Sequence, residues 1–382
     1  MDEEVWRYSR IGELDLDARR PVSEPGAGDL AAVSHELEAI GDPVALVHLV
    51  DGHLVDIQRA DDGGRVVVRG LEDGDQALLG SVTGEAHDYV TLLNEAFTPT
   101  PILIQVAAGA DAPGPVVVVN QVVTPNTLGC SRIVVDAGAD SSITVVELQV
   151  GGAAGALSVP LTEVAVGPAA RVGNLVVQDL DHDTWQLGRQ VSSVDADGSF
   201  TSAVAAFGGD YARLRTDCRL VGRGADGTLL AGYLGVGDQM LDFRTFQDHA
   251  APDTTSDLVF KGALSGASQS VYTGLIRVRP DGRGTNAFQT NRNLKLSDDA
   301  WAESVPNLEI ENNEVHCSHA STVGPVDEEQ RFYLESRGVP PHQAEQLVVA
   351  GFFGEVLQRL PGGLLAEHLA GRIATDLDRE LP

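Results

Sequence analysis

The sequence predicts a mainly β protein, with a parallel β-helix core between a mixed α/β N-terminal domain and a helical C-terminal domain. Three observations predict it. From about Phe97 to Val315 the chain is a series of short apolar runs, among them ILIQVA, VVVVN, RIVVDA, SITVVELQV and SVYTGLIRV, each ended by Gly, Asp, Asn or Pro. Turns of similar composition recur, and the markers Gly138, Gly167, Gly198 and Gly224 are spaced by 29, 31 and 26 residues, an irregular period within the range of solenoid repeats. No Pro/Ser/Gly-rich linker divides the region. Stacked coils of short strands bury a continuous apolar core, and small corner residues let the backbone turn sharply. A β-sandwich is the alternative, but about 220 residues of strand would require two of them.

The domain boundaries follow from the changes in pattern: 1–95, 96–323 and 324–382. In the first part, Leu30, Val33, Leu37 and Ile40 have helical spacing. Two strand-like pieces follow, with Asp51-Gly52 as a hairpin signal. In the last part, Asp327 is placed to N-cap a helix, with Gln330 at its third position and Gly338 suited to the C′ position. Pro340 and Pro341 open a second helix with an apolar face that includes Ala344, Leu347, Val348, Phe352, Val356 and Leu360. Pro361-Gly362-Gly363 interrupts the chain, and Leu364 to Leu381 has the pattern of a third amphipathic helix. Three helices at a chain end suit a solenoid cap or a docking site for a partner.

Composition narrows the function. The net charge is −30, from 56 acidic and 26 basic residues, and only Lys261 and Lys295 are lysines. Such a field repels phosphate backbones and anionic lipid, which argues against nucleic-acid and membrane-surface binding. The helical tail has the outline of a helix-turn-helix, but its excess of acidic residues argues against DNA. Cys130, Cys218 and Cys317 are odd in number and far apart, so they form no disulfide framework and read as reduced thiols. The acidic N-terminus has no signal-peptide character, and no run approaches the roughly 18 apolar residues of a membrane span. The expectation is a soluble, cytoplasmic protein.

The candidate chemistry lies between Asn307 and His319. In an extended strand alternate residues share a face, so Cys317 and His319 project side by side, and His316 and Ser318 project oppositely. A thiolate beside an imidazole suits a soft or borderline metal. A closed zinc site takes four ligands, and no second Cys/His pair lies nearby. Either another chain completes the site or the pair is a structural Cys and a surface His. Cys130 and Cys218 read as core-filling strand residues, His182 as a solvated turn residue, and Trp185 and Trp301 as packing groups. P-loop, GxSxG, HExxH and dinucleotide motifs are missing from the sequence. Asp242, Arg244, Asp248 and His249 leave open acid–base work in a β-helix groove, as in carbohydrate-active enzymes. A purely structural β-helix adaptor is a third option.

NRNLKLSDDA, VPNLEIENNEVHCSHASTVG and DEEQRFYLESRGV, in this order, resemble the C-terminal signature of the SufB/SufD family of iron–sulfur cluster assembly proteins. The CSH triplet followed by two small residues and TVG is closer to the SufD branch, as is EVWRYSRIGELDLD near the N-terminus. The similarity is strong over residues 260–355 and weaker elsewhere. It implies a right-handed parallel β-helix. It also implies a scaffold subunit without catalysis of its own, which pairs with SufB through the β-helices and binds the ATPase SufC through the helical C-terminal region. Cys317 and His319 match the family's CSH residues, which lie at or near the SufB–SufD interface and are implicated in cluster formation. No cofactor is expected to be tightly bound in isolation; iron or an Fe–S cluster would be held transiently at the interface with SufB. A homodimer of the isolated chain is also open. Where many family members have Gly-Ala after the triplet, this chain has Ala320-Ser321, both small.

Overall fold

The structure is a computed structural model that describes residues 6–84 and 88–380. The N-terminal part holds β1 (Arg20–Pro21), α1 (Ser34–Ile40), the hairpin β2 (Ala45–Val50) and β3 (His53–Arg59), β4 (Val66–Gly70) and α2 (Tyr89–Phe97). A long run of strands follows: β5 (Ile102–Val106), β6 (Val116–Val122), β7 (Thr127–Ala137), β8 (Ser142–Gly151), β9 (Leu157–Val166), β10 (Arg171–Leu180), β11 (Trp185–Val194) and β12 (Ser199–Ala206). It continues through β13 (Tyr211–Leu220), β14 (Asp226–Gly235), β15 (Met240–His249), β16 (Thr255–Leu264), β17 (Gln269–Val278), β18 (Asn286–Lys295), β19 (Trp301–Ile310) and β20 (His316–Pro325). The chain closes with α3 (Glu328–Ser336), α4 (Pro341–Leu357) and α5 (Ala366–Glu380).

From β5 onward the odd strands pair in parallel in one sheet and the even strands in the other. Each coil thus contributes one strand to each sheet, and the core is a parallel β-solenoid of about eight turns. Ser142, Arg171, Ser199, Asp226, Thr255, Asn286 and His316 stack in register along one sheet. β2 lies parallel beside β6 and β4 antiparallel beside β5, so the N-terminal strands continue both sheets.

One corner shows how the sequence turns the chain. Asp140, Ala169, Asp197, Gly224, Asp253 and Gly284 all have positive φ, between 55° and 78°. Each donates its backbone N–H to a carbonyl of the next coil, as Asp197 does to Arg223 and Gly224 to Pro252. Gly, Asn and Asp tolerate this left-handed conformation best, hence the repeated Asp and Gly at the turns. Of the four glycines read from the sequence, only Gly224 is itself one of these stacked positions. Gly138 and Gly167 sit two residues before Asp140 and Ala169, Gly198 one residue after Asp197, and Gly224 is itself in the column. The mixed offsets explain the uneven spacing of the markers.

The interior is filled by alternate residues from both sheets, including Val145, Val164, Phe200, Leu220 and Leu258. In its later coils Tyr233, Phe243, Phe260 and Tyr272 form an aromatic series with ring centroids 4.6, 5.7 and 5.4 Å apart. Both outer faces are also covered. Trp6 and Val90 of α2 pack on Leu128, Val159, Trp185 and Tyr211 of the odd sheet. Val33 and Ile40, with Val349, Phe353, Val356, Leu369 and Leu377 of α4 and α5, pack on the even sheet. Strands covered on both faces are buried along their length without alternation, as β6 is throughout and β9 is but for Ala165.

The C-terminal helices therefore lie along the flank of the solenoid and do not close its end. Three ion pairs fasten them there: Lys261 to Glu355 at 2.7 Å, Arg359 to Asp257 at 2.6 Å and Arg372 to Asp179 at 2.5 Å. Asp327 caps α3 by accepting from the backbone N–H groups of Glu329 and Gln330, and Gly338 has φ +88°. Pro341 is the first residue of α4. The sequence reading of a third helix extends to Leu381, which lies outside the described residues. Asp51 and Gly52, with φ of 51° and 85°, form the hairpin turn between β2 and β3.

The corner column makes a direct prediction. A Cβ at Gly224 would come within 2.5 Å of Asp197 Oδ1 at a φ of +73°. Gly224→Ala is expected to destabilise the protein by about 1–2 kcal/mol or more, whereas Ala169→Gly, at the same corner, is expected to stabilise it by about 1 kcal/mol. Urea denaturation followed by circular dichroism measures both; an equal response of the two variants would contradict the corner assignment.

Candidate functional site

β19 and β20 are the last strands of their sheets, each paired on one side only. Their free edges lie together at one end of the solenoid, which among the described residues no helix covers. An exposed strand edge presents unpaired N–H and C=O groups and is a template for a further strand. Cover also thins here: β18 alternates buried and exposed residues, and β20 is exposed along nearly its whole length.

Cys317 and His319 lie on β20, in register with Ala287 and Gln289 of β18. Cys317 is half-buried and packs with Val315 and Leu308 against Ile276, Val278 and Ala287, which fixes it on the inner face. His319, two residues on, shares that face and is exposed. His316 and Ser318 project to the other side and are exposed. The juxtaposition expected from the sequence is therefore present, at the mouth of the solenoid on an unpaired edge. Burial pushes the Cys317 thiol above its ordinary range, and a hydrogen bond from the Ala287 backbone pulls it partly back. At neutral pH the group is a thiol, which a metal would have to deprotonate on binding.

The sulfur–imidazole pair suits a soft or borderline metal, but it supplies two ligands. Among the described residues no group of three or more His, Cys, Asp or Glu side chains is arranged to hold a metal ion. Glu309 and Glu311 of the same region face Arg277, which lies 2.9 Å from Glu311 and 3.8 Å from Glu309. One buried polar side chain lies a rung below the pair. Gln289, beneath His319, is buried with its amide nitrogen and oxygen both unpartnered. Sequence reasoning missed it, because a Gln in QTNRN carries no sign of its burial.

The other candidates are placed as follows. Asp242 is buried on the outer face of the odd sheet, where Tyr211 donates to it at 2.7 Å and Arg213 and Arg244 pair with it at 3.2 and 2.5 Å. Asp248 lies farther along the same strand and is bound by Arg279 through both oxygens. His249 points to the interior, where it bonds Thr254 and Ser256, each at 2.8 Å, and burial lowers its pKa to about 4. These three residues do not converge, so the groove arrangement suggested by their spacing is not formed. Cys130 and Cys218 are buried, and desolvation raises both thiols to about 12, in keeping with core filling. His182 is exposed in a turn. Trp185 packs edge-on against Tyr211, and Trp301 is partly exposed beside Tyr8.

A second surface lies where the helices meet the even sheet. A groove of about 1270 Å³ runs between β18 and β20 on one side and α3 and α4 on the other, lined by Lys261, Val323, Tyr333, Leu347, Val348 and Phe352. Phe332 and Tyr333 on α3 are 70% and 58% exposed. Large aromatic side chains left exposed together beside a groove mark an interaction surface.

The burial of the thiols predicts their reactivity. In the native protein a thiol reagent should modify Cys317 alone, faster as the pH rises through the raised range of its thiol, and should reach all three cysteines only in denaturant. Reaction of Cys130 or Cys218 in the folded protein would contradict the packing described.

A family model described as "SUF system FeS cluster assembly, SufBD core domain" matches residues 120–352. An iron–sulfur cluster assembly SufBD family protein of Mycobacterium bovis is 39% identical over 224 residues, 56% of each chain. Iron–sulfur cluster assembly protein SufD of Escherichia coli is 32% identical over 170 residues, 44% of this chain and 40% of that protein. SufD of Bacillus subtilis is 29% identical over 202 residues, 53% and 46% of the two chains. The matched stretches span about half the length of these relatives. Among the described residues no helix is long and apolar enough to cross a membrane. The family match takes in most of the solenoid together with α3 and most of α4, and on it the chain belongs to the SufBD core family of the SUF system of iron–sulfur cluster assembly.

Proposed function

We propose that this chain is a SufD-type scaffold subunit, cytoplasmic and without catalysis of its own, which contributes Cys317 and His319 to a site shared with a second β-helix chain. The observation that carries this reading is the position of the pair, on the inner face of an edge strand with no further coil above it among the described residues. A second solenoid docked edge to edge against β19 and β20 would satisfy their free backbone groups. It would also bring the ligands that two side chains cannot supply alone. In this reading the partner is SufB, and the solenoid is right-handed, the hand that parallel crossover connections adopt. An isolated chain would use the same edges to pair with a second copy. Iron and sulfide are the cargo of the site. Cys317 and His319 bind it, the Ala287 backbone N–H holds the sulfur in place, and the packing of Leu308 and Val315 beside Cys317 limits water on that side.

The groove beside α3 and α4 would receive the ATPase SufC. Its exposed aromatic residues and the ion pairs that bind α4 to the even sheet support this. Movement imposed on α4 would reach β16 directly through Lys261, which donates to the Phe352 carbonyl at 2.8 Å and pairs with Glu355.

Two measurements test the reading. In a reconstituted complex with SufB and SufC, His319→Ala should leave the fold intact and lower cluster assembly by about tenfold or more, read anaerobically by visible absorption. Normal assembly by this variant would sink the site assignment, and normal assembly by the Cys317/His319 double variant would favour a purely structural adaptor. Replacing Tyr333 by Ala or Leu347 by Asp should weaken SufC binding by about 2 kcal/mol or more, with pairing to SufB unchanged. Calorimetric titration with unaltered SufC affinity would move the docking site elsewhere.

A further inference from the structure

We propose that Gln289 is a positioning residue for His319, accepting the ring N–H that the metal does not use. The inference rests on the reading of Cys317 and His319 as metal-binding residues. Gln289 is 1% exposed, and among the described residues neither its Nε2 nor its Oε1 has a hydrogen-bond partner. An unpaired buried amide costs on the order of 1–3 kcal/mol per polar group, so an unpaired amide retained at this place points to a partner supplied on binding. The surroundings make room for it. Gly274 of β17 faces the amide, and a Cβ there would come within 2.6 Å of Gln289 Nε2 and 2.2 Å of Tyr272 Oη. The Tyr272 hydroxyl is already bonded to Thr245 at 2.9 Å. On the side of the mouth the next residue in register is His319, about 4.8 Å above along the sheet and on the same inner face.

A metal-bound histidine usually donates its second ring nitrogen to a neighbouring acceptor, which fixes the tautomer and the orientation of the ring. Gln289 Oε1 is such an acceptor, one rung below. An amide suits the place better than a carboxylate, since it accepts without bringing a charge into a dry interior. The ordinary alternative is that a water molecule satisfies the amide and Gln289 only supports the fold.

The test uses the assembled complex proposed above and an anaerobic titration with Co²⁺, read by thiolate-to-metal absorption. Gln289→Met, similar in shape but without an acceptor, should weaken Co²⁺ binding by about 10–100-fold, and Gln289→Glu, which keeps an acceptor, should weaken it less. Nitrogen-15 spectra of histidine-labelled complex with Zn²⁺ bound should show a single His319 tautomer in the parent and a mixture in Gln289→Met. Unchanged affinity and an unchanged tautomer in a folded Gln289→Met variant would overturn the proposal. His319→Ala and Cys317→Ser separate the two readings. If both leave Co²⁺ affinity unchanged, the metal-site reading fails; if both abolish binding while Gln289→Met does not, only the role of Gln289 fails.

Discussion

The structure depends on one constraint, the in-register parallel stacking of coils. Parallel strands cannot be joined by tight hairpins, so each must be followed by a corner, a strand of the opposite sheet and a second corner. The corner column from Asp140 to Gly284 meets this requirement with residues that accept positive φ, each bonded to the coil above. Stacking also sets what the rest of the chain must do. The two sheets enclose an apolar interior, and their outer faces are apolar as well, so α1 and α2 and the C-terminal helices are needed to cover them.

The same constraint creates the site. A stack of coils has two ends, and the N-terminal end is continued by β2 to β4. At the other end the helices turn back along the flank, held by Lys261, Arg359 and Arg372, and leave β19 and β20 with free edges. Elsewhere in the solenoid, an inward-facing Cys is enclosed and inert, as Cys218 is. At the last rung the inward face opens to the outside, and Cys317 and His319 become available to a second chain.

Much of the fold was legible because the local rules are strong. Apolar runs closed by Gly and Asp announced stacked strands, Asp327 and Gly338 marked the ends of α3, and the alternation of a strand put Cys317 beside His319. The candidates that failed did so for a reason that sequence spacing hides. Asp242, Asp248 and His249 are close in the chain, but strand alternation sends His249 inward, and arginines of the same strand and of neighbouring coils neutralise both carboxylates. Gln289 was passed over because its importance comes from burial among residues far away in the chain, Gly274 in particular.

By itself the sequence determined the parallel solenoid of short strands, the two ends of α3, the start of α4 and the shared strand face of Cys317 and His319, since these follow from the apolar runs and their turn residues, from capping and from the two-residue period of a strand. Tertiary structure decided where the helices pack, which strands keep a free edge, and which polar groups lie buried without partners. Those outcomes depend on contacts between coils many residues apart, and no local pattern encodes which surface the stacking leaves uncovered.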